Sequence, residues 1–260
     1  MTDCGMEERL GAALRRHAAI AIAVSGGVDS MTLATFAHRR HAAVAMIHAV
    51  SPAVPPAATE RVRRRARLEG WRLIITGAGE FDDPRYRENP ADRCYFCKTH
   101  LYDRIHGLTP HVIASGANLD DLGDWRPGLL AASERDVVHP FIEAGMSKAA
   151  VRELARSEVL EEVAELPAQP CLASRVETGI AIDAADLAFV DLVEVRLAAM
   201  AAPAATVRCR ITRRGVVLET DQPAEQAGAM AAAVEVLCKE NGRLFAGARP
   251  YRRGAMFVRT

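Results

Sequence analysis

One hexapeptide constrains this chain more than any other feature: Ser25-Gly26-Gly27-Val28-Asp29-Ser30, set directly after the apolar run of residues 19–24. An apolar run of strand length that stops at paired glycines reads as a buried strand entering a tight turn, and the helical texture of residues 31–39 completes a strand–turn–helix unit. In such a turn, backbone N–H groups and the hydroxyls of Ser25 and Ser30 converge at the positive end of a helix, which suits phosphate oxygens. Gly26 and Gly27 let the backbone approach a ligand closely, the Val28 amide joins the nest, and Asp29 is placed to hold Mg2+. The string lacks Gly-Lys followed by Ser or Thr, so it is not a Walker-type loop. A glycine turn merely capped by serines is the plainer alternative. The completeness of the string at the first strand–helix junction argues against it.

The order of elements around that turn sets the fold class. Helical periodicity over residues 6–16, apolar runs at 42–49, 71–76 and 111–114, a basic helical stretch at 58–69 and a helix over 94–105 alternate strand with helix. That alternation implies an α/β fold with a doubly wound parallel sheet. The polar stretch 80–93 is long enough for a functional loop, 117–127 reads as a second loop, and 167–174 as irregular chain. Ser147 is the expected N-cap of a helix running to residue 157. From residue 181 the texture changes: a helix to residue 200, strands at 207–211 and 216–219, a helix over 223–239, and short strands near 243–247 and 255–259. The reading is therefore a larger α/β domain over residues 1–176 and a small α+β domain over 177–260.

Acidic and basic side chains balance at 33 each, so no net field draws the chain to nucleic acid, and the arginine-rich run 61–67 reads as a solvated helix face. No apolar stretch approaches the roughly 20 residues of a membrane span. The N-terminus, with Asp3, Glu7 and Glu8, lacks a signal-peptide layout. The expectation is a cytoplasmic protein without a membrane or nucleic-acid partner.

Six cysteines in 260 residues are too sparse for a disulfide scaffold, which leaves metal binding or catalysis. Cys94-Tyr95-Phe96-Cys97 places two thiols three apart at a helix start, where the helix dipole favours anionic ligands. Cys171 lies in Gln169-Pro170-Cys171-Leu172-Ala173-Ser174-Arg175, beside a cation. A pair of packing cysteines is the bland alternative. Zinc held by Cys94, Cys97, His100 and Cys171 is one metal reading, and iron–sulfur ligation by the three cysteines is the other. Spacing does not separate them. Cys4, Cys209 and Cys238 read as ordinary thiols.

Taken together, Ser25–Ser30, the stretch 89–98 ending in Cys94-Tyr95-Phe96-Cys97-Lys98, Gly116-Ala117-Asn118-Leu119-Asp120-Asp121, Asp124-Trp125-Arg126-Pro127-Gly128, Glu143-Ala144-Gly145 and the stretch 171–175 form a specific series. The hexapeptide looks like the PP-loop of the ATP pyrophosphatases, and the whole series resembles the LarE family, most densely over residues 19–175. These are ATP-dependent sulfur transferases that mature the nickel-pincer nucleotide cofactor of lactate racemase and related enzymes. The resemblance implies a PP-loop (adenine nucleotide alpha hydrolase-like) sheet and ATP with Mg2+ as cofactors. It implies as substrate a pyridinium biscarboxylic acid mononucleotide, whose carboxylate is adenylated and then converted to a thiocarboxylate.

Family members with all three cysteines are expected to hold a [4Fe–4S] cluster through Cys94, Cys97 and Cys171, whose extra sulfide is transferred and resupplied by a donor protein or by free sulfide. Members with only the counterpart of Cys171 sacrifice its sulfur. Resemblance also places Lys98, Ser174 and Arg175 near the reacting centre, Gly116 at the nucleotide, and Arg252 and Glu194 near the substrate, and it implies a homo-oligomer. Arg208 and Arg210 alternate on an apparent strand and so share a face suited to a substrate phosphate. The chain departs from the family at Val176-Glu177-Thr178-Gly179, where an aromatic often precedes the glycine, and over the divergent last 60 or so residues. Alternatives of other chemistry are a PP-loop enzyme that thiolates tRNA, an amide-forming ligase like NAD or GMP synthetase, and a nucleotide-binding module without catalysis.

Overall fold

A computed structural model of the chain describes residues 4–123, 125–202, 205–252 and 254. Asp124 and the strand expected near 255–259 lie outside the described residues. In chain order the elements are α1 (Cys4–Arg15), β1 (Ile20–Ala23), α2 (Val28–Arg40), β2 (Val44–Val50), α3 (Pro56–Glu69), β3 (Leu73–Gly77), α4 (Pro84–Arg87), α5 (Arg93–His106), β4 (Val112–Ala114), α6 (Pro127–Ser133) and α7 (Pro140–Glu143). Then follow α8 (Lys148–Ser157), α9 (Glu161–Ala164), α10 (Ala184–Ala198), β5 (Val207–Thr212), β6 (Gly215–Thr220), α11 (Ala224–Glu240) and β7 (Phe245–Pro250). Contacts divide the chain into two compact units, Met1–Glu80 with Cys94–Gln169, and Phe81–Arg93 with Pro170–Thr260.

The first unit is the α/β fold expected: a four-stranded, all-parallel sheet in the order β3-β2-β1-β4. Strand β1 shows why it must be covered on both faces. Ile20 and Ile22 point into a core built with Leu33, Phe36, Val151 and Leu154. Ala21 points the other way, into a smaller core with Ile47, Tyr102, Ile105 and Ile113. Successive residues of a strand face opposite sides, so a run apolar at every position must be buried twice. Ile20, Ala21 and Ile22 are accordingly inaccessible to solvent.

The second unit pairs β5 with β6 antiparallel and β6 with β7 parallel, with α10 lying on β5 and α11 on β7. Its core gathers Val190, Val193, Leu197, Cys209, Leu218, Met230 and Val234, all fully buried. The polar stretch 80–93 contributes to this unit rather than only forming a loop. The Ile182 amide donates to Arg87 O at 2.8 Å, and the Gly179 amide to Asn89 O at 3.0 Å. Asn89 adopts φ 55°, in the left-handed region that Asn tolerates better than most residues, and is wholly buried. Its side-chain amide donates to Glu177 O at 3.0 Å and its carbonyl oxygen accepts from Arg93 Nη1 at 2.9 Å, so both ends of the side chain hold it there. Among the described residues no helix is long and apolar enough to cross a membrane.

Candidate functional site

The hexapeptide forms the turn that its residues predict, at the carboxyl end of β1 and the start of α2. Gly26 adopts φ 85°, and a Cβ there would stand 2.7 Å from the backbone oxygen of Ala58 in α3. Only glycine meets both demands. The two hydroxyls are internally committed. Ser30 Oγ accepts from the Ser25 amide at 3.0 Å and donates to Gly27 O at 3.2 Å, so its single proton is used. The 3.0 Å contact between the two hydroxyls therefore has Ser25 as donor. No side chain caps α2, so its first-turn amides face the turn without the Ser, Thr or Asp oxygen that usually satisfies them. That is a phosphate-ready helix end with the serine hydroxyls alongside.

The loop after β4 closes against this turn. A Cβ on Gly116 would lie 2.8 Å from Ser30 N and 2.9 Å from the Asp29 carbonyl carbon. Two residues on, Asn118, only 2% exposed, donates from Nδ2 to Asp29 Oδ1 at 3.3 Å while its own oxygen caps Asp120 N at 3.1 Å. The other Asp29 oxygen pairs with Lys148 Nζ. Lys148 opens α8 directly after Ser147, which is the N-cap expected: its side chain accepts from the Ala150 amide at 3.3 Å. Asp29, Asn118 and Lys148 thus form one polar cluster beside the turn. An acidic group in the first turn of α2 is also favoured by the helix dipole.

On the other flank, Arg61 donates from Nη1 to Gly26 O at 2.6 Å and to Gln169 Oε1 at 3.3 Å. The solvated-face reading of residues 61–67 is thus corrected at its first member: Arg61 is half-buried against the glycine turn, whereas Arg63 and Arg64 are exposed. Beneath the turn His48 is completely buried. Its Nδ1 stands 2.7 Å from Val24 O, a pure acceptor, so Nδ1 carries the proton and Nε2 accepts from the Thr59 hydroxyl at 2.9 Å. Burial pushes this imidazole below its ordinary value, which keeps it neutral. Next to Gly116, the Ser115 hydroxyl meets His139 Nδ1 at 2.8 Å, and burial lowers that imidazole too.

Cys94 and Cys97 sit in the first turn of α5, half-buried and not disulfide-bonded. Lys98 follows them with its Cγ 3.0 Å from where a Gly128 Cβ would be, so Gly128 makes room for it. Cys171 is on the second unit, half-buried, at the N-cap position of a 3-10 turn, Leu172–Arg175. That turn is anchored by Arg175. Its Nη1 donates to Pro170 O at 2.5 Å, Cys171 O at 3.2 Å and the Ser174 hydroxyl at 3.0 Å, while Nε and Nη2 grip Glu194 in a two-pronged pair at 3.0 and 2.8 Å. Burial alone would lower the Arg175 guanidinium, but the Glu194 fork outweighs it and raises it. Glu194 Oε1 also accepts the Cys209 amide at 3.0 Å, tying the helix α10 to the strand β5. Arg175 and Glu194, expected near the reacting centre and the substrate, are therefore each other's partners and shape the backbone around Cys171.

The two β5 arginines differ. Arg210 is 5% exposed, pairs through Nε with the fully buried Glu219 at 2.7 Å and donates from Nη1 to Ser174 O at 3.1 Å. Arg249 takes the second oxygen of Glu219 at 2.9 Å. Arg210 is thus engaged inside the fold and supports the Cys171 turn from beneath. Arg208 is half-buried, donates from Nη1 to Val207 O at 2.8 Å, and has its guanidinium lowered by burial with repulsion from Arg175 adding to it. Arg252 is exposed beyond β7. Among the described residues no group of three or more His, Cys, Asp and Glu side chains is gathered as a metal site.

Fold and site together define the chain as a doubly wound α/β protein with a glycine–serine turn at the end of its first strand and a cysteine-bearing second unit. No protein-family model matches it. It is 38% identical over 182 residues to the Uncharacterized protein slr1717 of Synechocystis sp., an alignment covering 68% of this chain and 67% of that protein. The chain belongs to the family of that protein. It is also 29% identical over 111 residues to the Uncharacterized protein MJ0830 of Methanocaldococcus jannaschii, covering 41% of this chain and 43% of the relative.

Proposed function

We propose that the chain is an ATP-dependent sulfur transferase of the PP-loop type, which adenylates a substrate carboxylate and replaces the adenylate with sulfur. The observation that carries the reading is the turn at Ser25–Ser30: uncapped helix amides, two serine hydroxyls, and Asp29 held between Asn118 and Lys148. In this reading Asp29 would hold the Mg2+ that accompanies ATP, which would neutralise phosphate charge, and Asp29 would then release Lys148. The freed ammonium then faces phosphate, and Ser25 exchanges its Ser30 contact for a phosphate oxygen. The β- and γ-phosphates settle in the nest and leave as pyrophosphate, with the α-phosphate carried onto the substrate. A carboxylate is a poor electrophile, and an acyl-adenylate divides its conversion into two easier displacements.

The thiols of Cys94, Cys97 and Cys171 are the proposed sulfur-handling groups. An all-thiol donor set suits iron–sulfur ligation better than oxygen-seeking cations, and zinc is the competing occupant. When bound, a [4Fe–4S] cluster would supply a sulfide for transfer; without it, Cys171 would give its own sulfur. Arg175, fully committed to Glu194 and to the carbonyls of Pro170 and Cys171, holds the Cys171 turn in place. Lys98 and Arg208 are the cations proposed for substrate charge, and the substrate proposed is the pyridinium biscarboxylic acid mononucleotide of nickel-pincer cofactor synthesis.

The test is to purify the protein without oxygen and measure iron, acid-labile sulfide and zinc in wild type and Cys97→Ala, together with pyrophosphate release from ATP. Iron and sulfide present in wild type and lost in the variant, with pyrophosphate formed only when the carboxylate substrate is supplied, is the expected result. Zinc or no metal in place of iron would favour sacrificial Cys171 chemistry or an amide-forming ligase, and activity surviving Cys171→Ala would favour the ligase. Salt-sensitive binding of tRNA would favour base thiolation.

A further inference from the structure

Helix α3 carries five arginines; Arg63, Arg64 and Arg67 are exposed, and Arg65 is half-buried with a carboxylate partner. Arg63 pairs with Glu60, Arg64 with Glu162 and Arg65 with Glu69. Arg61 is different. It is half-buried, no carboxylate pairs with it among the described residues, and both of its recorded partners are neutral oxygens, Gly26 O and Gln169 Oε1. Burial works against its charge, repulsion from Arg64 adds to that cost, and attraction from Glu162 offsets only part of it. A cation partly withdrawn from water without a directly paired anion is unfavourable and favours binding one. The carbonyl it holds belongs to the glycine whose φ of 85° makes the phosphate turn. Its Nη1 is anchored there, and a guanidinium has three further N–H groups beyond that nitrogen, arranged in a planar fork that matches phosphate.

We propose that Arg61 is a ligand of the nucleotide's β- and γ-phosphates and charge-compensates the departing pyrophosphate, on the flank of the turn opposite Lys148. Lys148 reaches the turn through Asp29, at the start of α2, whereas Arg61 reaches it through Gly26, three residues past the end of β1. The two cations therefore bracket the nest, one from α8 and one from α3. Lys148 pairs with the Asp29 carboxylate, and Arg61 pairs with no carboxylate among the described residues. The energetic gain on binding a polyphosphate is accordingly concentrated at Arg61, which loses no ion pair in the exchange.

This inference rests on the phosphate-turn reading and is tested separately from it. Binding of Mg2+-ATP, AMP and inorganic pyrophosphate would be measured by calorimetry on the whole chain for wild type, Arg61→Gln and Arg61→Lys. We expect Arg61→Gln to weaken ATP and pyrophosphate by about tenfold or more while AMP, which has no β- or γ-phosphate, changes less than about twofold, and Arg61→Lys to recover part of the loss. Equal ATP affinity in wild type and Arg61→Gln would overturn the assignment. So would an AMP loss as large as the ATP loss, which would make Arg61 only a brace for the turn. Wild type that binds none of the three ligands would instead overturn the phosphate-turn reading itself.

Discussion

Replacing Gly116 by alanine tests whether the two loops at the ends of β1 and β4 must touch for the glycine–serine turn to hold its shape. The added Cβ would stand 2.8 Å from Ser30 N, 2.9 Å from the Asp29 carbonyl carbon and 3.1 Å from Asp29 O, where ordinary contact begins at 3.4 Å. The first two atoms must therefore retreat by 3.4 − 2.8 = 0.6 Å and 3.4 − 2.9 = 0.5 Å. They are backbone atoms in the first turn of α2, and the residues just after them, Met31, Leu33 and Ala34, are completely buried, so no side chain can swing aside to absorb the strain. Overpacking of this kind costs about 1–3 kcal/mol. Because the displaced atoms are those that line the nest, ATP affinity should fall by about tenfold as well.

Both tryptophans, Trp71 and Trp125, belong to the first unit, so urea unfolding followed by fluorescence reports on the unit that holds the turn. Gly228→Ala is the control. It lies within α11 of the second unit and nothing lies within 4 Å of its added Cβ, so the tryptophan-reported midpoint of the first unit and the ATP affinity should both stay at wild type. A Gly116→Ala protein with wild-type unfolding midpoint and wild-type ATP affinity would refute the close-approach argument.

Other consequences are as direct. Glu219→Leu leaves Arg210 buried without its anion, and loss of about 3–5 kcal/mol is expected in the second unit, read by limited proteolysis across a urea series. Arg175→Lys keeps the charge but loses the fork on Glu194, so sulfur transfer should fall while ATP binding by the first unit stays near wild type; equal transfer rates would show that the Cys171 turn does not need this anchor. Ser147→Ala removes the cap of α8 and should cost about 1 kcal/mol, seen as a lower unfolding midpoint.

His48 predicts a pH dependence. Its folded value lies below the ordinary 6.5, so its contribution is complete above 6.5, where both states are neutral. As pH falls from there towards the folded value, the unfolded chain takes up the proton first and stability is lost. His139 acts in the same direction. His48→Asn, which can still donate to Val24 O but does not titrate, should show a shallower loss between pH about 7.5 and about 5.5 than wild type; matching slopes would count against the assignment.

Much of the first unit was legible in the residues. Continuous apolar runs of four to eight residues, interspersed with helical stretches, pointed to parallel strands buried on both faces, and the glycine–serine hexapeptide announced its own turn because its conformation is local. Ser147 was readable as a cap for the same reason. The short helices Pro127–Ser133, Pro140–Glu143 and Glu161–Ala164 were not, since four to seven residues cannot display a period of 3.6.

What only the tertiary structure decided are the pairings between distant residues. In sequence Arg61 is one arginine among five in a helix; only the packing of α3 beside Gly26 separates it from its neighbours. Lys148 is an unremarked residue after a cap until α8 brings it to Asp29, 119 positions earlier in the chain. Arg208 and Arg210 look equivalent by strand alternation, yet Glu219 on the paired strand claims Arg210 and leaves Arg208 half-buried. Sequence specifies which groups exist and the local turns that their backbones prefer. Which charge meets which depends on long-range packing, because an ion pair is decided by distance and burial in space rather than by separation along the chain.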